Sequence, residues 1–217
     1  MKRIFITVAL LFVATIAMAA VERRSMDLKL PSQVMLELQT ITTPVVADVD
    51  RLLDDQATSD TVTTTVTSFL AQPDVCRAIS VTPGGTTADV PAGDIVVTGT
   101  NFFGDTITEN LTLTANQSTI ASGSKAFCSV TSIVFPIQDG TDATYDFGVL
   151  DKLGLKRCID DAGSVAWASL AGAFETTDPT VVADADEIEK NTIDINGTLD
   201  GTKNVKVYFV QNFRCKP

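Results

Sequence analysis

The sequence predicts a mainly β fold, an antiparallel β-sandwich or barrel that follows an N-terminal extended or helical arm. From residue 76 onward, short segments rich in threonine and valine recur, and such β-branched residues favour extended chain. Turns that contain glycine and aspartate separate these segments. Apolar and polar residues alternate in several of them, which is typical of strands with one buried face. About eight such strands suit a sandwich or barrel.

The chain is expected to consist of three parts: a signal-like hydrophobic leader (1–20), an arm with a short helix (21–75) and a β-sandwich domain (76–217). The leader starts with a basic Lys2-Arg3 pair, continues with an uncharged apolar run and ends on the small residues of Ala17-Met18-Ala19. This order is typical of a cleaved secretory signal. An uncleaved anchor, a buried helix and a misassigned start are the alternatives, and the apolar run is short of the roughly 20 residues that span a membrane.

In the arm, Thr43-Pro44 followed by apolar residues at helical spacing predicts a short amphipathic helix that ends near residue 55. Residues 26–42 are ambiguous, because Met26, Leu28 and Leu30 alternate as in a strand but a proline follows them. Residues 60–68 are predicted to be extended.

The clearest prediction in the β-domain is a hairpin that joins residues 94–101 to residues 106–114 through Phe102-Phe103-Gly104-Asp105. Its second arm alternates strictly, so one face is expected to pack on the core. The residues of that face are Ile107, Leu111 and Leu113, and those of the opposite face are Thr106, Thr108, Asn110 and Thr112.

The other β-domain elements are weaker predictions. A strand over residues 78–82 is expected to close at the turn Pro83-Gly84-Gly85, and further strands are expected over residues 126–136 and 144–149. Residues 191–196 and 204–210 are expected to form a second hairpin. Between residues 160 and 187, a short helix is possible from the spacing of four apolar residues: Val165, Trp167, Leu170 and Phe174.

Composition argues against several functions. Sixteen basic and 27 acidic residues give a net charge of −11, which disfavours binding to a nucleic-acid backbone. The chain has no histidine, which removes Ser-His-Asp and Cys-His nucleophiles and His-ligated zinc. Nucleophile-elbow, phosphate-loop and dinucleotide-binding motifs are also missing. We therefore expect no enzyme, no catalytic residue, no cofactor and no small-molecule substrate, although a hydrolase built on two carboxylates is a remaining alternative.

Two groups of acidic and amide residues are candidate calcium sites: Asp139, Asp142 and Asp146, and then Asp194, Asn196 and Asp200. Neither group has the residue order of a calcium-binding loop. Aspartate and asparagine also stabilise turns through local hydrogen bonds. We therefore expect turns without a metal, and a solvated acidic loop at residues 184–187.

The four cysteines, Cys76, Cys128, Cys158 and Cys215, can form two disulfides in three possible pairings. Disulfides form in oxidising compartments, which an exported protein would reach. Four small buried thiols are the alternative.

A series of motifs then suggests a family. They begin at Ile95-Val-Val-Thr-Gly-Thr-Asn and continue through Ser122-Gly-Ser-Lys-Ala-Phe, Asp139-Gly-Thr-Asp-Ala-Thr, Asp151-Lys-Leu-Gly-Leu and Asn191-Thr-Ile-Asp-Ile-Asn. In this order the chain resembles β-rich structural proteins of tailed-bacteriophage virions, over residues 76–210. The resemblance implies a capsid decoration or tail-associated accessory subunit in the virion. Its partners would be copies of itself and other virion subunits, and the family supplies no catalytic residues.

The leader and the cysteines support an alternative, an exported surface or filament-forming β-protein, extracellular or on the cell surface. Its N-terminal segment would complete a neighbour's sheet by strand exchange. It would meet the membrane only transiently, through the leader. In either case we expect an exposed sheet edge or apolar patch that involves the segment before residue 76. We also expect that a chain without residues 21–60 still folds but is no longer incorporated into particles or filaments.

Overall fold

The computed structural model describes residues 36–210, so the leader and Cys215 lie outside the described residues. The chain from Glu37 onward groups into one compact unit. Its strands are, in order, β1 Leu36–Ile41, β2 Asp48–Ala57, β3 Thr64–Val66, β4 Arg77–Gly85, β5 Gly93–Thr100, β6 Thr106–Leu113, β7 Ala121–Phe127, β8 Ser129–Phe135, β9 Ala143–Gly154, β10 Val165–Leu170, β11 Ala173–Phe174, β12 Thr180–Val182, β13 Thr192–Asp194 and β14 Val205–Val210. Three single-turn 3-10 helices connect them, at Thr87–Asp89, Ala162–Ser164 and Ile188–Lys190.

The strands form three sheets. The terminal sheet has the order β1-β14-β10-β11, and the hairpin sheet has the order β3-β8-β5-β6. The central sheet has the order β12-β13-β9-β4-β7, and β2 also pairs with β9. The long pairings β4–β9, β5–β6 and β10–β14 are antiparallel. The predicted mainly β, antiparallel fold class is therefore confirmed, and the described part of the arm is extended.

Two hydrophobic clusters hold the sheets together, and β9 contributes to both. Phe147 and Val149 of β9 join residues of β5, β6 and β8, so the central and hairpin sheets pack face to face. Leu153, at the end of β9, joins the inner faces of β10 and β14 in the second cluster. Burial of each of these apolar side chains stabilises the fold by about 1.5–3 kcal/mol relative to leaving it exposed to water.

The predicted hairpin is confirmed. β5 and β6 pair from Gly93↔Leu113 to Thr100↔Thr106, and the predicted apolar face of β6 is buried. The side chain of Asn101 shapes the turn, because its Oδ1 accepts the N–H groups of Phe103 at 2.9 Å and Asp105 at 3.0 Å.

The predicted helix after Thr43-Pro44 is wrong, because residues 48–57 form strand β2 against β9. The register shifts twice along this pairing. Because of these irregularities, apolar residues at helical spacing can still be accommodated in a strand. Leu52 and Leu53 are both buried in the first cluster. A chain without residues 21–60 would lose this core strand, so we no longer expect that deletion to leave the β-domain folded.

Two further predictions are wrong in detail. β4 does not end at a turn over residues 83–85 but continues to Gly85, which pairs with Ala143. The strand predicted over residues 126–136 is two strands, β7 and β8, which belong to different sheets and separate at Cys128. Long-range pairing decides both outcomes.

The possible helix between residues 165 and 174 is instead the hairpin β10–β11. Ala171 and Gly172 form its two-residue turn with φ of 53° and 85°, as a tight hairpin requires. The predicted second hairpin is also wrong, because β13 pairs with β9 and β12, whereas β14 pairs with β10. Among the described residues, no helix is long and apolar enough to cross a membrane.

Candidate functional site

The outer face of the terminal sheet carries a cluster of aromatic side chains. Trp167 of β10 lies opposite Tyr208 of β14. Phe174 of β11 pairs with Ser169, two residues after Trp167 in β10. The ring centroids are 6.2 Å apart for Trp167–Tyr208 and 6.3 Å apart for Phe174–Tyr208. Trp167 is 42% exposed and Phe174 is 61% exposed, while Val207 and Phe209 point into the second cluster. We call Trp167, Phe174 and Tyr208 the aromatic face.

A groove of about 360 Å³ adjoins this face. One wall is β10 from Val165 to Ala168, and the opposite wall includes Pro179 and Val181 at β12. Phe174 also lines the groove. Since β10 belongs to the terminal sheet and β12 is the last strand of the central sheet, the groove separates the edges of two sheets.

The edge of β10 that borders the groove is only partly paired. β11 is two residues long and pairs with Ser169 and Leu170. Beyond it, the N–H of Glu175 donates to the carbonyl of Ala168 at 3.1 Å. Farther along this edge, the pairing of β10 with β14 shifts register between Val165 and Trp167, so a β-bulge interrupts the strand at Ala166.

Two carboxylates, Glu175 and Asp178, border the groove, and Asn196 holds their loop. The Asn196 N–H donates to Glu175 Oε2 at 3.0 Å. Its side-chain amide donates to the carbonyls of Thr177 at 3.0 Å and Asp178 at 3.1 Å. Asn196, which the sequence placed in a possible calcium group, therefore fastens this acidic loop.

Three other members of the two calcium candidates have hydrogen-bond or ion-pair partners within the chain. Asp146 accepts the N–H of Asp55 at 2.8 Å, and the N–H of Asp142 donates to Asp89 at 3.0 Å. The Lys203 ammonium and neighbouring donors lower the pKa of Asp200 well below its usual range. Within residues 36–210, no group of three or more acidic residues and cysteines is placed to hold a metal ion.

The acidic loop at residues 184–187 is closed by its own hydrogen bonds. Asp184 Oδ1 accepts the N–H groups of Glu187 at 2.8 Å and Asp186 at 2.9 Å, and these bonds lower the pKa of Asp184. Lys190 forms a 2.7 Å ion pair with Glu187, whose hydrogen bond raises the pKa of Lys190. The loop is a structured turn at the surface.

Arg77 is a buried charge that the sequence analysis did not identify. Its guanidinium is fully buried and donates to the carboxylates of Asp74 at 2.9 Å and Asp151 at 3.1 Å, and to the carbonyls of Val45 and Leu150. Burial disfavours ionisation of Asp74, but the N–H of Val45 and the Arg77 guanidinium outweigh it and lower the pKa of that carboxyl. Arg77 thereby ties the segment before β2 to the central sheet.

Glu109 is a second polar residue in a core position. It lies between Ile107 and Leu111 on the buried face of β6 and is 8% exposed. Its Oε1 accepts the N–H of Ser124 at 2.6 Å, the hydroxyl of Ser124 at 2.8 Å and the N–H of Lys125 at 3.2 Å. The carboxylate therefore joins β6, at the edge of the hairpin sheet, to β7, at the edge of the central sheet. The strict alternation of β6 could have revealed the burial of Glu109, because it places residue 109 on the same face as Ile107 and Leu111.

The prediction that the cysteines pair is confirmed for the described residues. Cys76 and Cys128 form a disulfide that links the start of β4 to the junction of β7 and β8. Cys158 is disulfide-bonded as well. The Cys76–Cys128 bond closes a loop of 52 residues, and loop-closure entropy alone assigns such a bond about 4 kcal/mol.

The sequence named no catalytic, cofactor-binding or metal-binding residue. It noted Trp167 and Phe174 only as possible helix residues, and the strand pairing brings them together with Tyr208. Comparison with family models, with curated proteins and with solved structures finds no match for this chain.

Proposed function

We propose that this protein is a structural subunit of a virion, a capsid decoration or tail-associated accessory protein that packs on or within a phage particle. The aromatic face beside the groove is the observation that carries the proposal. Large exposed aromatic side chains gain most when a partner covers them, and they dominate the energy of many protein interfaces. Assembly, rather than turnover, is the function that such a surface supports.

The rest of the molecule suits a static role. Two packed cores, the buried Arg77 network and the Cys76–Cys128 disulfide stabilise the sheets. The order of motifs along residues 76–210 supplies the link to phage virions. The net charge of −11 favours contacts with protein subunits over contacts with nucleic acid.

An exported surface or filament-forming subunit is the second candidate. The Cys76–Cys128 disulfide favours it, because such bonds persist mainly in oxidising compartments. Both candidates use the same surface for assembly and differ in location. Mass spectrometry separates them: the chain is expected in purified phage particles for the first candidate, and in the surface or secreted fraction of particle-free cells for the second.

Sedimentation velocity of the full-length protein over a concentration series tests the assembly itself. We expect the wild type to form larger species and a Trp167→Ser/Tyr208→Ser variant to remain monomeric. The matched control is Phe102→Ser/Phe103→Ser, which removes a more exposed aromatic pair, 6.2 Å apart, from the β5–β6 turn. A wild type that stays monomeric at every concentration and joins no particle would refute the structural role.

A further inference from the structure

The groove beside the aromatic face combines aromatic rings with negative charge. Trp167 and Phe174 line it together with the carboxylates of Glu175 and Asp178. Among its lining residues, all of which belong to the described part of the chain, none is a lysine or an arginine. Its volume of about 360 Å³ lies in the range of roughly 300–1,000 Å³ that is usual for small-molecule sites. The groove is therefore large enough for a ligand, and its charge favours a cation.

The two carboxylates keep most of their capacity to bind a cation. Oε2 of Glu175 accepts the N–H of Asn196, whereas Oε1 accepts no hydrogen bond from the described residues. The carboxylate of Asp178 accepts none from them either, and neither acid forms an ion pair within residues 36–210. Asn196 also fixes the backbone of Asp178 by donating to its carbonyl at 3.1 Å. Two negative charges are thus held beside the groove without a cationic partner in the described chain.

The rest of the lining favours an organic cation over a metal ion. Ca²⁺ and Mg²⁺ require about six oxygen ligands or more. The groove offers two carboxylates and otherwise mostly apolar side chains, among them Val165, Pro179 and Val181. Apolar walls suit a cation that carries methyl groups, whereas a primary ammonium is strongly hydrated and donates three hydrogen bonds. Tryptophan and phenylalanine rings attract quaternary ammonium groups through their negatively polarised faces.

We propose that this groove binds a small quaternary ammonium cation, with Trp167 and Phe174 contacting its methyl groups and Glu175 and Asp178 balancing its charge. The ligand is a monocation of the choline type, because a phosphate or carboxylate group on it would be repelled by the two acids. This inference goes beyond the proposed function, since it assigns a ligand to the groove independently of what covers the aromatic face.

Isothermal titration calorimetry with choline chloride tests the inference on the full-length protein, diluted until it is monomeric. We expect a dissociation constant of about 1 mM or below. Trp167 is the single tryptophan of the chain and lines the groove, so its fluorescence should change with the same midpoint.

Two further ligands separate the contributions of charge and methyl groups. The first is the neutral alcohol in which a carbon atom replaces the nitrogen of choline, so that its shape is the same and its charge is absent. We expect it to bind about tenfold more weakly than choline or worse, because cation–π and carboxylate contacts both depend on charge. The second is ethanolamine, whose primary ammonium lacks the methyl groups and should also bind more weakly than choline.

Three variants test the residues of the groove. Trp167→Leu and Phe174→Leu keep an apolar side chain at an exposed position but remove the ring, and Asp178→Asn removes one charge from an exposed residue. Each should weaken choline binding by about fivefold or more. Phe103→Leu and Asp105→Asn, at exposed positions of the β5–β6 turn, are the matched controls and should bind choline as the wild type does. Circular dichroism checks that all five variants are folded.

Several results would overturn the inference. If choline and the neutral alcohol bind equally, the groove recognises apolar shape and not charge. If ethanolamine binds as tightly as choline, the ligand class is wrong, and if the control variants lose as much affinity as the groove variants, the site is wrong. If choline does not bind but the wild type forms larger species in sedimentation velocity, the ligand is wrong and the proposed function stands. If choline binds as expected to a chain that stays monomeric at every concentration and joins no particle, the inference stands and the proposed function fails.

Discussion

Replacing Glu109 by alanine is expected to destabilise the protein far more than a typical strand substitution. The change removes the acceptor of two backbone N–H groups, of Ser124 and Lys125, at the contact between β6 and β7. A hydrogen bond to a charged group contributes about 1.5–3 kcal/mol. Because Ser124 is exposed and water can replace part of the loss, we expect about 2–4 kcal/mol in total.

Glu109→Gln keeps a carbonyl oxygen in the same place and is expected to lose about half as much. The matched control is Thr108→Ala, the preceding residue on the exposed face of β6, with a loss under about 0.5 kcal/mol. Urea unfolding followed by Trp167 fluorescence measures all three free energies. If Glu109→Ala costs no more than Thr108→Ala, the carboxylate does not stabilise the junction of the two sheets, and the reasoning is wrong.

Four further predictions concern the core, a buried charge, alkaline pH and the cross-link. Leu111→Ala should cost about 2–5 kcal/mol in urea unfolding through lost burial and a cavity, and a loss near zero would contradict the register of β6. Arg77→Met should cost about 3–5 kcal/mol by the same measurement, because it leaves two carboxylates without their buried partner; an unchanged midpoint would show that they find other partners. Burial raises the pKa of Tyr145 to about 12, so its contribution to stability is complete below pH 10 and is lost as the pH rises from 10 to 12. The buried hydroxyl of Tyr145 has no hydrogen-bond partner among the described residues, so Tyr145→Phe should be neutral or stabilising at pH 7. In unfolding curves measured over a pH series, the variant should lose less stability than the wild type between pH 10 and 12. An equally large loss in the variant would mean that other groups cause the alkaline decline. Non-reducing peptide mapping should yield a fragment that links Cys76 to Cys128, and recovery of both as free thiols would contradict the cross-link.

The sequence by itself determined the fold class and the clearest local element. The β5–β6 hairpin was predictable because its signals are local: strict alternation, a turn of the right length and β-branched residues on both arms. The same alternation identified which face of β6 is buried, and the cysteine count together with the leader predicted the disulfides. Each of these features depends on residues close in the chain or on composition.

The tertiary structure alone decided how the remaining strands pair and where a surface is left open. Residues 48–57 have the spacing of a helix but become β2 because β9, about 90 residues later, offers an edge and a core for Leu52 and Leu53. The aromatic face has the same origin, since Trp167 and Tyr208 meet only through the pairing of β10 with β14. Local preferences amount to a fraction of a kcal/mol per residue, whereas burial against a distant strand contributes several times more, so long-range pairing overrides them.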